Sequence, residues 1–162
     1  MLVSVYAWAC SPPGIVLRRI IPYLGHLPRK PLRDRYSQAH IYHQLGIVAQ
    51  EQRQWAQAED YYRQALELFV EFNDRYAQAL TYHQLGMVAQ EQRQWAQAEE
   101  HFLRALETYV DYEDEHNLGI VLGSLARLHR AGGGQGLAEA VAKVLGISSN
   151  DAEALLARAA GG

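Results

Sequence analysis

At 162 residues, with 49% hydrophobic and 20% charged side chains, the chain is long enough for one soluble domain or a short repeat array. Its formal net charge of −3 lacks the basic excess that neutralises phosphates over a broad surface, which disfavours general nucleic-acid binding. The single cysteine, Cys10, excludes an intrachain disulfide and a cysteine-rich zinc site, and a reducing cytoplasm is the expected compartment.

Residues 1–33 read as an irregular leader. MLVSVYAWAC followed by SPPG loosely resembles a secretory leader ending at Cys10, but no positive charge precedes the apolar run, and only eight residues separate Met1 from Cys10. The next apolar stretch, residues 14–27, is interrupted by Arg18, Arg19 and Pro22 and falls short of the roughly 20 residues a bilayer span needs. No membrane segment is expected. Two readings of the leader stay open: a poorly ordered extension, or a misplaced start upstream of a truncated array.

Residues 35–74 recur without a gap as residues 75–114, with 26 of 40 positions identical. Tandem units of this length signal a solenoid, in which stacked copies present a binding surface more often than a catalytic pocket. Shifted back by forty, Arg18, Pro22 and Gly25 fall where Ala58, Tyr62 and Ala65 stand, so the leader is not a further copy. Within the unit, Tyr42, Leu45, Gly46 and Ala49, then Trp55, Ala58, Tyr62, Ala65 and Leu66, have helical spacing. The spacing predicts two helices per unit, broken near Gln52 to Gln54, with Trp55 opening the second. Asp34, Asp74 and Asp114 recur ahead of each first helix, where a short carboxylate caps unpaired amides.

These positions resemble the tetratricopeptide repeat: Tyr42, Leu45-Gly46, Ala49, Trp55, Ala58, Tyr62 and Ala65-Leu66, then Tyr82, Leu85-Gly86, Ala89, Trp95, Ala98, Phe102 and Ala105-Leu106. The resemblance covers roughly residues 34–145 and implies an all-α, right-handed solenoid of antiparallel hairpins, with small residues allowing close approach and aromatics filling the gaps. Trp95 is expected between helices. Two departures stand out: Arg53 and Arg93 replace the glycine that commonly ends the first helix, and Val70 and Val110 replace the closing proline. With the forty-residue period, they make the unit similar to the longer repeats of kinesin light chains and STAND-type signalling ATPases.

The expected division is a leader (1–33), a first unit (34–74), a second (75–114), a degenerate third (115–146) and a capping helix (147–162). In the third unit Leu122, Leu125, Ala126 and Ala138 keep the register, while Gly132, Gly133, Gly134 and Gly136 form a permissive loop. A last helix over residues 151–159 follows Ser148, Ser149 and Asn150, any of which can cap it, and its Leu155 and Leu156 are expected to cover the apolar end. About two and a half repeats fall short of the three or more that usually give stability, so the array is expected to be marginal alone. The tail also resembles a helix-turn-helix, but Asp151 and Glu153 would face phosphates where only Arg158 offers positive charge, which disfavours DNA recognition.

Carried over residue by residue, the resemblance implies a partner-binding groove. In the first unit it comprises His40, His43, Ile47, Gln50 and Glu51; in the second, Leu80, His83, Met87, Gln90 and Glu91; the third adds Arg127 and Arg130. Ile47 and Met87 offer apolar anchors, the glutamines can pair with a peptide backbone, and the arginines suit an acidic end. His40, His43 and His83 lack the spacing of a shared metal site, the glycine run lacks the Lys and Ser/Thr of a phosphate loop, and no nucleophile–base arrangement is present. The expected function is therefore a non-enzymatic module, without a cofactor, that binds a peptide or helix of another protein as scaffold or adaptor. It is also open to self-association through its uncapped N-terminal repeat. The different readings are a regulatory tail of a larger STAND-type ATPase and a DNA-binding C-terminal segment.

Overall fold

Ala, Gln, Glu, Leu and Arg dominate the repeated units, and these residues lose little side-chain freedom in a helix, so local preference and apolar spacing agree. The computed structural model describes residues 32–134 and 136–159, and the readings made for residues 1–31 lie outside them. The chain divides into the units Met1–Arg33 and Asp34–Gly162, the second of which carries the architecture. Among the described residues there are seven helices and no strand. They are α1 (Leu32–Glu51), α2 (Trp55–Glu71), α3 (Arg75–Glu91), α4 (Trp95–Asp111), α5 (Glu115–Arg130), α6 (Leu137–Leu145) and α7 (Ser149–Ala159). The fold is an all-α solenoid of helix hairpins.

One backbone device ends each of the first five helices. The third residue past the helix donates its amide to a carbonyl five residues back, as in Gln54 N to Ala49 O at 2.9 Å and Gln94 N to Ala89 O at 2.8 Å. The residue before it stands in the left-handed region and donates three back, as Arg53 N does to Gln50 O. The left-handed residues are Arg53 (φ 57), Asn73 (φ 53), Arg93 (φ 59), Glu113 (φ 53) and Gly132 (φ 82). The turn after the first helices thus keeps the geometry that glycine favours, although arginine occupies it. Gly132 alone meets the demand without a Cβ penalty.

The turns fold α2 back along α1 and α4 back along α3. Arg35 near the start of α1 pairs with Glu71 at the end of α2, and Arg75 with Asp111 at 2.7 Å, so each pair runs antiparallel. Close approach is set by glycine. A Cβ on Gly46 would stand 2.5 Å from Tyr62 Cε1, and one on Gly86 2.5 Å from Phe102 Cε1. Ala49, Ala58, Tyr62 and Ala65, with Ala89, Ala98, Phe102 and Ala105, are buried around these contacts. The tryptophans differ from the sequence expectation. Trp55 and Trp95 each open a second helix and are only half-buried, because at its first turn a side chain overhangs the hairpin end.

Asp74 and Asp114 join neighbouring units. Asp74 caps α3 by accepting the Ala77 amide at 2.9 Å and takes the Tyr36 hydroxyl at 2.6 Å; Asp114 accepts the Asn117 amide at 3.0 Å and the Tyr76 hydroxyl at 2.8 Å. The Asn117 backbone amide, then its side chain and Tyr76, hold the Asp114 carboxyl down at about 2. Asp34 departs from this pattern. It lies inside α1, because Leu32 and Arg33 already continue the helix ahead of it. In the third unit Gly132, Gly134 and Gly136 all take positive φ and lead into the short α6. Ser148 caps α7 reciprocally with Asp151, accepting its amide at 3.2 Å and donating to its carboxylate at 2.7 Å. Ala152 and Leu156 of α7 are buried in the cluster formed by α4, α5 and α6.

Two glycines should respond oppositely to alanine. Gly86→Ala forces a methyl into Phe102, an overpacking cost of about 1–3 kcal/mol that exceeds the roughly 1 kcal/mol gained in helix propensity. Gly119→Ala in α5 meets nothing within 4 Å and should gain about 0.5–1 kcal/mol. Urea midpoints moving in opposite directions will show this. In the same assay Arg93→Gly should raise stability by about 1 kcal/mol, since glycine relieves the left-handed strain.

Candidate functional site

The first helices of the three units, α1, α3 and α5, line up side by side, so positions forty apart form rows across them. His40, Leu80 and Ile120 make one exposed row. Ile47 and Met87 are half-buried, each packed against a hydrophobic cluster, and the exposed Arg127 continues their row. Gln50 and Gln90 lead to Arg130, while Glu51 and Glu91 are exposed at the ends of α1 and α3. Ile120, 43% exposed, belongs to the face and was missed by the sequence reading; counting forty from Leu80 finds it.

The equivalent glutamines differ in chemistry. The buried Tyr62 donates its hydroxyl to Gln50 Oε1 at 2.8 Å, occupying that oxygen. Phe102 stands in the same place in the second unit and has no hydroxyl to give Gln90. Burial, then the Glu51 carboxylate, keeps the Tyr62 phenol protonated by raising its pKa well above the usual tyrosine value.

His43 and His83 are turned toward the next unit. His43 Nδ1 lies 3.1 Å from Thr81 Oγ1, and Thr81 donates its own proton to Ala77 O at 2.8 Å, so the imidazole Nδ1–H is the donor. His83 Nε2 lies 3.1 Å from Ser124 Oγ, which donates to Ile120 O and also accepts from Arg127 Nη2 at 2.9 Å. Thr81 and Ser124 are fully buried. The two histidines therefore tie α1 to α3 and α3 to α5, and replacing His83 removes an inter-unit contact as well as a face residue. Sequence reasoning missed Thr81 and Ser124. The visible signal for Thr81 was that it replaces Ile41 just ahead of the YHQLG stretch shared by the first two units; Ser124, in the divergent third unit, had no comparable signal.

Among the described residues no group of three or more His, Cys, Asp or Glu is placed to hold a metal ion. No helix among them is long and apolar enough to cross a membrane.

Stacked helix pairs joined by left-handed turns, with one row-forming helix face, define a helical-repeat interaction scaffold. A tetratricopeptide repeat family model matches residues 39–70, and a second model of the same description matches residues 77–144. The chain belongs to the tetratricopeptide repeat family, whose general role is protein–protein interaction or scaffolding and whose members are typically non-enzymatic. Neither a curated protein nor a solved structure matches the chain.

Burial, and secondarily His40, depresses the His43 pKa; burial, then Arg127, depresses that of His83. Both start from the ordinary 6.5, so below it the unfolded chain binds protons that the fold refuses. Their contribution to stability is complete above that value and is lost as pH falls through it toward the folded-state pKa. The urea midpoint should therefore drop between about pH 7.5 and about pH 5. A His43→Gln/His83→Gln variant should start lower but lose less across the interval; an equal loss would assign the pH dependence to other groups.

Proposed function

We propose that the chain captures an extended or helical segment of another protein along the face of α1, α3 and α5, as a scaffold or adaptor. The ladder of like positions at forty-residue intervals carries this reading. Leu80 and Ile120, 37% and 43% exposed, keep apolar surface in water beside half-buried Met87, the arrangement of a shallow anchor site. Gln90 supplies an amide for a peptide backbone.

Charge gives the expected ligand a polarity. Glu51 and Glu91 sit where the negative ends of α1 and α3 disfavour a carboxylate by about 0.3–1 kcal/mol each, so their presence supports a role other than folding. The last turn of α5 instead carries Arg127 and Arg130. A matching segment is basic across the first two units and acidic across the third. Second helices that run through Val70 and Val110 favour the longer-repeat class resembling those of kinesin light chains and STAND-type ATPases.

Selection of a displayed peptide library on the full chain tests this. Enriched sequences should be basic then acidic around an apolar anchor, and Leu80→Glu/Ile120→Glu should reduce binding at least about tenfold with an unchanged melting temperature. Arg127→Glu should shift the preference away from acidic residues. Selected peptides that bind the Leu80→Glu/Ile120→Glu chain as well as the parent would refute the reading.

A further inference from the structure

The apolar stripe Ile41, Leu45 and Val48 on α1 is 56%, 39% and 47% exposed. The equivalent residues of α3, Thr81, Leu85 and Val88, are 0%, 3% and 1% exposed, and those of α5, Val121, Leu125 and Leu128, are all 0%. Each buried stripe is covered by the preceding second helix. Tyr62 and Ala58 of α2 cluster with Leu85 and Val88, and Phe102, Ala105 and Tyr109 of α4 cluster with Val121, Leu125 and Leu128. The covering helices share one pattern: Ala58, Tyr62, Ala65 and Phe69 in α2, and Ala98, Phe102, Ala105 and Tyr109 in α4.

We propose that the Ile41/Leu45/Val48 stripe is a docking site for a helix of a separate partner protein bearing this alanine–aromatic pattern, forming a third instance of an interface the chain already contains twice. The seat is neutral as well as apolar. No charged side chain occurs from Tyr36 to Gln50, and Ile41, Leu45 and Val48 with His40 and Gln44 line a cleft of about 290 Å³. A second copy of the chain is a poor occupant, because its α2 and α4 already use their patterned faces on α3 and α5. Residues 1–31 do not carry the pattern either: Arg18, Pro22 and Gly25 stand at its first three places. This site is distinct from the row-forming face, although His40 borders both.

The probe is a labelled synthetic peptide of residues 54–73, bridged to hold it helical, titrated against the full chain by fluorescence anisotropy. Saturable binding is expected, weakened at least about tenfold by Leu45→Glu in the protein or by Tyr62→Glu/Phe69→Glu in the peptide. Leu80→Glu/Ile120→Glu should leave it unchanged, which separates this site from the proposed groove. Circular dichroism will establish that Leu45→Glu, at an exposed position, keeps its helix content. Absence of saturable binding to about 1 mM overturns the proposal, as does binding indifferent to Leu45→Glu. Sedimentation showing self-association that Leu45→Glu abolishes would assign the stripe to a second copy instead.

Discussion

The contact of a glycine with an aromatic ring across each hairpin is the constraint on which the architecture rests. Gly46 under Tyr62 and Gly86 under Phe102 leave no room for a Cβ, so the helix axes approach until the rings seal the hairpin. Close approach in turn places Ala49 and Ala89 against Ala58 and Ala98, where larger side chains would separate the helices. The short left-handed turns make this possible because they return the chain without slack. Arginine at φ near +60° is strained there, and it persists because two backbone hydrogen bonds and the hairpin packing together over-determine the turn.

Stacking of units depends on a second set of contacts with different physics. Asp74 and Asp114 each accept a backbone amide from their own helix and a tyrosine hydroxyl from the previous unit, so capping and inter-unit registry share one carboxylate. Farther along the same helices, His43 and His83 bind buried hydroxyls of the next unit. A unit therefore cannot rotate against its neighbour without breaking polar bonds at both places. Such nearest-neighbour coupling is what makes a solenoid cooperative.

The fold was legible in the sequence because a forty-residue self-similarity locates helix, turn and helix without any knowledge of contacts. Trp55 and Trp95 open second helices where the spacing put them, and Asp74 and Asp114 cap. Asp34 did not follow, since a cap depends on what precedes it and Leu32 and Arg33 are helical. The half-burial of the tryptophans was also hidden: type and register are visible in a sequence, but depth depends on how far the hairpin extends beyond the residue. The histidine contacts were least legible. Their partners lie 38 and 41 residues away, at positions that are not equivalent in the two units, so no fixed offset reveals them.

Where the units differ, the differences follow what each helix packs against. Ile41 against Thr81 and Gln84 against Ser124 track what each helix meets in its neighbour, and Tyr62 against Phe102 decides whether the row glutamine has a hydroxyl donor. By contrast, Glu51 and Glu91 are retained in both copies at helix ends where a carboxylate is electrostatically unfavourable. Duplication preserved a residue that folding alone does not favour, together with the turn arginines beside it. That end of the hairpins therefore carries two like carboxylates, each beside a left-handed arginine, at places where the packing of the hairpin core does not call for them.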